Sequence, residues 1–188
     1  MAATESVMVP LGTPAPDFTL LDARTGQEDS LNDLRGARVT VIMFICNHCP
    51  FVKHLIHDIV KLARHYEEEE VDFIAINSND ADNYPEDSPA KMREYAEEGD
   101  YPFPYLYDES QEVAKAYKAV CTPDFFVYDS DMQLAYRGQF DDSRPGNDIK
   151  VTGADLRAAI DALLEGHQPG KHQKPSIGCN IKWKRAAV

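Results

Sequence analysis

Two largely apolar runs mark the centre of the predicted sheet. Residues 39–45 (VTVIMFI) and 71–77 (VDFIAIN) lack the strict alternation of a half-exposed strand, and such runs are typical of central strands covered on both faces. Between them, apolar side chains recur at helical spacing from Phe51 to Tyr66, and most charged side chains lie off that stripe. The pattern therefore predicts a strand–helix–strand unit.

The second half of the chain predicts shorter elements. Residues 124–128 and 133–137, separated by an Asp-Ser-Asp turn, are predicted to form a β-hairpin. The polar loop after the second central strand, residues 77–80, is interpreted as a hydrogen-bonded loop. The other predicted elements are a strand within 14–22, one helical turn at 30–36, helices at about 89–98, 111–117 and 154–165, and a short strand or turn at 104–107. The order β-α-β-α followed by β-β-α predicts an α/β fold.

The last part of the chain predicts a tail rather than another helix. Gly166 ends the final helix, and Pro169, Gly170 and Pro175 prevent its continuation. Further on, the apolar residues Ile177, Cys179, Ile181 and Trp183 alternate with Gly178, Asn180 and Lys182. We therefore expect one domain over residues 1–188, with 167–188 a tail docked on it, extended from about 176 to 183 and burying Trp183.

Composition and charge narrow the classes of function. The chain has 188 residues, 43% hydrophobic composition and a net charge of −13, which argues against nucleic acid or an anionic membrane as a partner. No segment has the length of a membrane span or the pattern of a signal peptide. We expect a cytoplasmic protein, where the four cysteines act as redox groups, metal ligands or buried thiols rather than as a disulfide framework.

The main chemical signal is Cys46-Asn47-His48-Cys49, at the junction between the first central strand and the helix that follows. Two cysteines at this spacing can close a disulfide, and a helix N-terminus lowers the pKa of a thiol. Pro50 is tolerated in the first helical turn, and His48 can tune the thiolate. The motif indicates a redox centre with no cofactor and no metal. Its alternative is a metal-binding module built on Cys46, Cys49 and a histidine, although a second Cys-x-x-Cys is absent.

The sequence resembles the AhpC/TSA (redoxin) family of thioredoxin-like proteins, specifically its Cys-Asn-His-Cys-Pro branch. The resemblance covers nearly the whole chain, and its motifs are residues 16–18, 31–36, 46–53, 76–80, 84–87, 121–124, 137–142 and 176–183. It implies a thioredoxin-like fold, a central mixed sheet flanked by helices, with an N-terminal strand extension, an inserted helix and a C-terminal tail. It also implies thiol-based oxidoreduction.

The resemblance also assigns a role to Thr122-Pro123. Thioredoxin-like proteins carry Thr-Pro immediately before the second-half hairpin, with the proline cis and its loop facing the Cys-x-x-Cys. It implies that Thr122 and Pro123 shape a groove in which an extended substrate chain pairs with the backbone.

Two enzymatic interpretations of the cysteines follow from the resemblance. In thioredoxin-like exchange Cys46 attacks a disulfide and Cys49 resolves the mixed disulfide. In a peroxiredoxin-like peroxidase Cys49 is instead the peroxidatic thiol, and Arg137 is the candidate for stabilising it. The alternative interpretation of Arg137, and the more frequent one for an arginine, is an exposed residue of the hairpin strand. Cys121 and Cys179 are by default buried thiols, with a secondary redox role as the alternative.

The prediction is a thiol–disulfide oxidoreductase of the antioxidant redoxin type. Its partners would be a disulfide-bearing protein, a small-molecule thiol or disulfide, or a peroxide, together with a thiol system that donates electrons. The peroxidase and the metal-binding module are the alternatives.

Overall fold

The computed structural model describes residues 3–185 and confirms the predicted α/β class. The strands are β1 (Ala3–Glu5), β2 (Thr19–Asp22), β3 (Glu28–Ser30), β4 (Val39–Phe44), β5 (Val71–Asn77), β6 (Tyr105–Tyr107), β7 (Cys121–Thr122), β8 (Asp124–Tyr128), β9 (Leu134–Gly138) and β10 (Ile177–Asn180). The helices are α1 (Leu31–Leu34), α2 (Pro50–His65), α3 (Pro89–Glu98), α4 (Glu112–Tyr117) and α5 (Ala154–Leu164), with a 3-10 turn at Pro85–Asp87.

A seven-stranded mixed sheet forms the centre of the molecule, in the order β3-β2-β6-β5-β4-β8-β9. The two central strands predicted from the apolar runs, β4 and β5, are neighbours and run parallel. On its other edge β4 pairs antiparallel with β8, the first strand of the predicted hairpin. All six residues of β4 are buried, because one face packs beneath α2 and the other beneath a second apolar cluster.

Helix α2 begins directly after the cysteine motif. Cys49 is its N-cap residue and Pro50 its first helical residue, a position where the missing N–H of proline removes no hydrogen bond. No side chain caps this end, so the N–H groups of the first turn are free to face the sulfur of Cys49. Leu55, Ile59, Leu62 and Ala63 of the predicted apolar stripe are buried.

A second, three-stranded sheet brings together both ends of the described chain, in the order β1-β10-β7. Strand β10 runs antiparallel to both neighbours and aligns Cys179 with Ala3 on one side and with Thr122 on the other. A Cβ atom at Gly178 would lie 1.9 Å from the carbonyl oxygen of Thr122. The close contact between β10 and β7 therefore requires glycine at this position.

The tail forms an extended segment as predicted, but the prediction for Trp183 is wrong. Cys179 and Ile181 are buried, whereas Trp183 is 38% exposed. The alternation stops after Ile181 because the backbone of Lys182 is bound on both sides: its N–H donates to the Asn79 side chain, and its carbonyl accepts from the Asp80 N–H and the Gln111 amide. These contacts bury Lys182 and leave the next side chain at the surface.

The longest helix, α2, has 16 residues, and none of the helices within residues 3–185 is long and apolar enough to cross a membrane.

Candidate active site

The two motif cysteines lie on either side of the Thr122 backbone. The Cys46 sulfur is 3.4 Å from the Thr122 hydroxyl, and the Cys49 sulfur is 3.3 Å from the Thr122 carbonyl oxygen. The Thr122–Pro123 peptide bond is cis. The predictions that Pro123 is cis and that its loop faces the Cys-x-x-Cys are both confirmed.

His48 forms an ion pair with a carboxylate that the sequence did not single out. Its Nδ1 atom lies 2.5 Å from Oδ2 of Asp87, whose side chain is fully buried. The imidazole also stacks on the Tyr84 ring, with ring centroids 5.8 Å apart. The hydrogen bond to Asp87 raises the pKa of His48 above its usual value, so the ring carries positive charge beside the cysteines over a wider pH range.

Asp87 is held by four donors. The Asn47 N–H (2.7 Å) and the Asn77 amide (3.1 Å) donate to Oδ1, while the Asn79 amide (2.9 Å) and His48 contact Oδ2. Burial alone would raise the pKa of this carboxyl, but these donors, His48 foremost, hold it below its usual value. The loop predicted at residues 77–80 is hydrogen-bonded, and its asparagines fix the acid of the His48 pair.

The two motif thiols have opposite pKa shifts. A hydrogen bond from Cys46, with further donors from Cys179 and the Val52 N–H, lowers the pKa of Cys49 to about 5 against the opposing effect of burial. The same hydrogen bond to Cys49, burial and the charge of Asp87 raise the pKa of Cys46 well above its usual value. These shifts favour Cys49 over Cys46 as the thiolate of the reduced pair.

Access to the pair is through Cys46. A cavity of about 200 Å³ is lined by Cys46 together with Lys53, Tyr95 and Tyr101, whereas Cys49 has no exposed surface. The cavity is below the size of sites for drug-like ligands and can hold a side chain of a larger substrate. The sulfur that carries the charge and the sulfur that meets a substrate are thus different atoms.

The tail contributes a third cysteine to this centre. The Cys179 sulfur lies 2.7 Å from the Cys49 sulfur, and the Phe51 N–H at the start of α2 donates to it. Of the two residues predicted as buried thiols or secondary redox groups, Cys179 therefore contacts the motif. Cys121 does not: its sulfur is buried 3.9 Å from the Pro123 carbonyl oxygen, and burial raises its pKa.

Arg137 is not brought to the cysteines. It lies on the edge strand β9, and its guanidinium donates to the side chain of Gln173 at 2.6 Å. Among the side-chain hydrogen bonds within residues 3–185, none joins an arginine to Cys46 or Cys49. The position expected for a peroxide-stabilising arginine is not filled by Arg137.

The groove expected at Thr122 and Pro123 is already occupied. Strand β10 pairs with β7 at Cys121 and Thr122, and the Ser176 hydroxyl donates to the Pro123 carbonyl oxygen at 2.5 Å. The backbone edge predicted to pair with an extended substrate chain therefore pairs with the tail of the protein itself. A substrate approaching from the cavity meets Cys46 without using this edge.

Sequence reasoning missed the residues that orient the motif. Asp87, Tyr84 and Asn79 were not assigned roles, and Tyr105 donates a hydrogen bond of 2.8 Å to the side chain of Asn47. The one available signal was their position: residues 84–87 and 76–80 belong to the motifs that carry the family resemblance.

Comparison with known proteins is consistent with this geometry. The model of the AhpC/TSA family matches residues 11–137. A curated relative, the thiol-disulfide oxidoreductase ResA of Geobacillus kaustophilus, is 28% identical over 133 residues, which cover 70% of each chain.

Two solved structures show the same architecture. An uncharacterized conserved protein from Geobacillus kaustophilus is 60% identical, with a TM-score of 0.98 over 100% of this chain and 99% of its own. A putative thioredoxin from Neisseria meningitidis is 24% identical, with a TM-score of 0.62 over 80% of this chain and 89% of its own. The fold is therefore thioredoxin-like.

Proposed function

Because this chain belongs to the AhpC/TSA family, we propose that it is a thiol–disulfide oxidoreductase in which Cys46 and Cys49 cycle between dithiol and disulfide. The observation that carries the proposal is the contact of both sulfurs with Thr122, at 3.4 Å and 3.3 Å, with Cys49 at the N-cap of α2. The name of the relative ResA supports the same class of reaction.

Reduction of a substrate disulfide starts at Cys46, the sulfur that lines the cavity. The Cys46 thiol gives its proton to the adjacent Cys49 thiolate as its sulfur attacks the disulfide, and one substrate thiolate leaves. Cys49 then loses that proton to the leaving thiolate and attacks Cys46. The Cys46–Cys49 disulfide forms and the second substrate sulfur departs as a thiolate, which takes a proton from solvent.

The environment of Cys49 favours the reduced state. A thiolate with a pKa of about 5 is stable at neutral pH and is also a good leaving group. A substrate thiol that attacks Cys46 of the oxidised protein therefore displaces Cys49 readily. We propose that the oxidised protein accepts electrons more easily than a thioredoxin-type couple, whose potential is near −270 mV.

His48 and Asp87 act as positioning residues. The Asn47 N–H and the His48 ring both bind Asp87, so this carboxylate fixes the loop between the two cysteines. The imidazolium also balances the carboxylate charge, which otherwise disfavours ionisation of Cys46.

The test is a single turnover of the reduced protein with a model disulfide peptide, followed by acid quenching, alkylation and peptide mapping. We expect a Cys46–Cys49 disulfide in the wild-type protein and a trapped Cys46–peptide disulfide in Cys49→Ser. Cys121→Ala is the matched control and should behave as the wild type. If both motif cysteines stay alkylated in the wild-type protein, the proposal is wrong.

A peroxidase that uses Cys49 is the second candidate. The low pKa of Cys49 at a helix N-terminus supports it, whereas its complete burial and the contact of Arg137 with Gln173 do not. Stopped-flow mixing with hydrogen peroxide separates the two activities. Faster oxidation of the dithiol by peroxide than by a peptide disulfide would favour the peroxidase.

The metal-binding alternative has weaker support. Donor atoms of Cys46, His48 and Asp87 lie within 4.8 Å of one another, but Cys49 is not part of this group. Both oxygens of Asp87 already accept two donors each, which a metal ion would have to displace. Metal analysis of protein purified without chelators tests this alternative.

We propose disulfide-bearing proteins or peptides as the substrates, because the cavity beside Cys46 can receive one side chain of a larger substrate. The thiol system that donates electrons and the cytoplasmic location remain predictions from the sequence.

A further inference from the structure

The cysteine of the C-terminal strand is held against the motif by several independent contacts. Gly178 allows β10 to approach the Thr122 carbonyl, and the Ser6 hydroxyl accepts a hydrogen bond from the Ser176 N–H at 2.8 Å. On the other side of Cys179, the Ile181 N–H donates to the Val120 carbonyl oxygen at 2.9 Å. Cys179 is therefore fixed on both sides in the chain, and its sulfur contacts that of Cys49 at 2.7 Å.

We propose that Cys179 is a third redox thiol, which displaces Cys46 from Cys49 and converts the Cys46–Cys49 disulfide into a Cys49–Cys179 disulfide. The inference rests on the proposed function, since it begins from the disulfide that catalysis forms. It differs from that function because it assigns a second disulfide, formed with the tail strand.

The exchange needs no other reactant. The Cys179 sulfur attacks the Cys49 sulfur, the Cys49–Cys179 bond forms, and the Cys46–Cys49 bond breaks with its electron pair on Cys46. The proton lost by Cys179 ends on Cys46. The protein is oxidised by two electrons before and after the step, and only the position of the disulfide changes.

Oxidation of the motif makes Cys179 a better nucleophile. In the reduced protein, burial and then the hydrogen bond and charge of Cys49 raise the pKa of Cys179 to about 12. In the Cys46–Cys49 disulfide Cys49 has no charge, so its contribution disappears. The Phe51 N–H and the charge of Lys182, which both favour the Cys179 thiolate, remain in place.

The new disulfide lies away from the cavity that a substrate enters. Cys46 lines that cavity, and while it is part of a disulfide a released substrate thiol can attack it and reverse the reaction. Transfer of the bond to Cys179 returns Cys46 to the thiol state and removes this route. The tail cysteine thus makes reduction of the substrate disulfide harder to reverse.

Cys46 is a poor leaving group because burial and the charge of Asp87 raise its pKa, and both remain when Cys49 is part of a disulfide. The exchange should therefore be slower than formation of the first disulfide. This difference in rate allows the two disulfides to be observed one after the other.

The experiment follows the identity of the free thiols over time. Reduced wild-type protein receives one equivalent of the thiol oxidant diamide, is quenched in acid and denaturant, alkylated and mapped. We expect Cys179 to be alkylated and Cys46 protected at early times, and the reverse at late times, with no change in the total number of thiols. Cys46→Ser should form the Cys49–Cys179 disulfide directly, and Cys121→Ala should follow the wild-type course.

The outcomes separate this inference from the proposed function. If Cys46–Cys49 forms and Cys179 stays fully alkylated at every time in the wild-type protein, the exchange is overturned while the oxidoreductase stands. If no motif disulfide forms, both fail. The wild-type time course decides this even where a variant does not fold.

Discussion

The sulfurs of Cys46 and Cys49 have opposite surroundings, although only two residues separate them in the chain. Cys46 faces a cavity, the Thr122 hydroxyl and the charge of Asp87, whereas Cys49 faces the first turn of α2 and the tail cysteine. Because α2 begins only at Pro50, its N–H groups act on the second cysteine of the motif and not on the first. The hydrogen bond between the two sulfurs is the largest cause of their opposite pKa shifts, and the Val52 N–H at the helix start adds to it on the Cys49 side.

The largest expected effect is on thiol ionisation. Substitution of either motif cysteine should change the pH titration of thiolate ultraviolet absorbance, and the two substitutions should change it differently. Cys49→Ser should abolish the transition at about pH 5, since burial, which the substitution leaves in place, raises the pKa of each of the other three cysteines. Cys46→Ala removes the main donor and should move the transition upward by about one to three pH units. Cys46→Ser keeps a hydroxyl donor and should retain a low value. A low transition that survives in Cys49→Ser would reverse the assignment.

Gly178→Ala should alter the surroundings of Cys49 and leave those of Cys46 unchanged. The added methyl group meets the Thr122 carbonyl, so β10 must shift, and the free energy of unfolding should fall by about 1–3 kcal/mol in urea denaturation. The contact between Cys179 and Cys49 should weaken with it. Gly170→Ala is the matched control because a Cβ there meets no atom within 4 Å. Equal stability of the two variants would contradict the close packing of the tail.

The reduction potential should depend on pH as expected for a couple with one thiolate. With Cys49 ionised above about pH 5, reduction takes up one proton for two electrons. The potential should then fall by about 30 mV per pH unit from pH 5.5 to 8, and by about 59 mV per unit at lower pH. Equilibration with a glutathione buffer at several pH values measures the slope. A constant slope of about 59 mV per unit would mean that both thiols stay protonated.

The smallest effect should be that of His48→Ala on stability. The raised pKa of His48 stabilises the fold below its unfolded value of about 6.5, and this contribution is lost as the pH rises through the folded value. The lowered pKa of Asp87 contributes above about 3.9 and is lost as the pH falls. The loss in His48→Ala should therefore be greatest between about pH 4 and 6.5, at about 1 kcal/mol.

Exposed His172 provides the control for this comparison. Denaturant unfolding of His172→Ala should match the wild type at every pH. A deficit in His48→Ala that is independent of pH would point to lost packing against Tyr84 rather than to the ion pair.

The sequence predicted the parts of the molecule that depend on local pattern. The apolar run of β4, the stripe on α2 and the spacing of Cys46 and Cys49 each follow from neighbouring residues. Strands β1 and β7 could not be predicted in this way, because two or three residues form a strand only when β10 lies beside them. The same is true of the covered groove at Thr122, since the pairing of β10 joins segments more than fifty residues apart.

The candidate site likewise contains residues that the sequence could identify and residues that it could not. The motif identified its own two cysteines, and the resemblance identified Thr122-Pro123. Asp87 comes from a 3-10 turn forty residues after Asn47, and nothing in the local pattern of an acidic surface loop distinguishes it from the many other acids. Arg137 was selected by residue type alone, and its contact with Gln173 depends on the path of the tail.

The pairing of β10 between β1 and β7 has a consequence for folding of the protein during its synthesis on the ribosome. A nascent chain that has reached residue 165 already contains both motif cysteines, Thr122-Pro123 and helices α1 to α5. Strand β10 is still to be synthesised, so β1 has no partner and Cys49 lacks the cysteine that later covers it. Because translation proceeds at about 5–20 residues per second, the motif passes through a brief uncovered stage in every molecule.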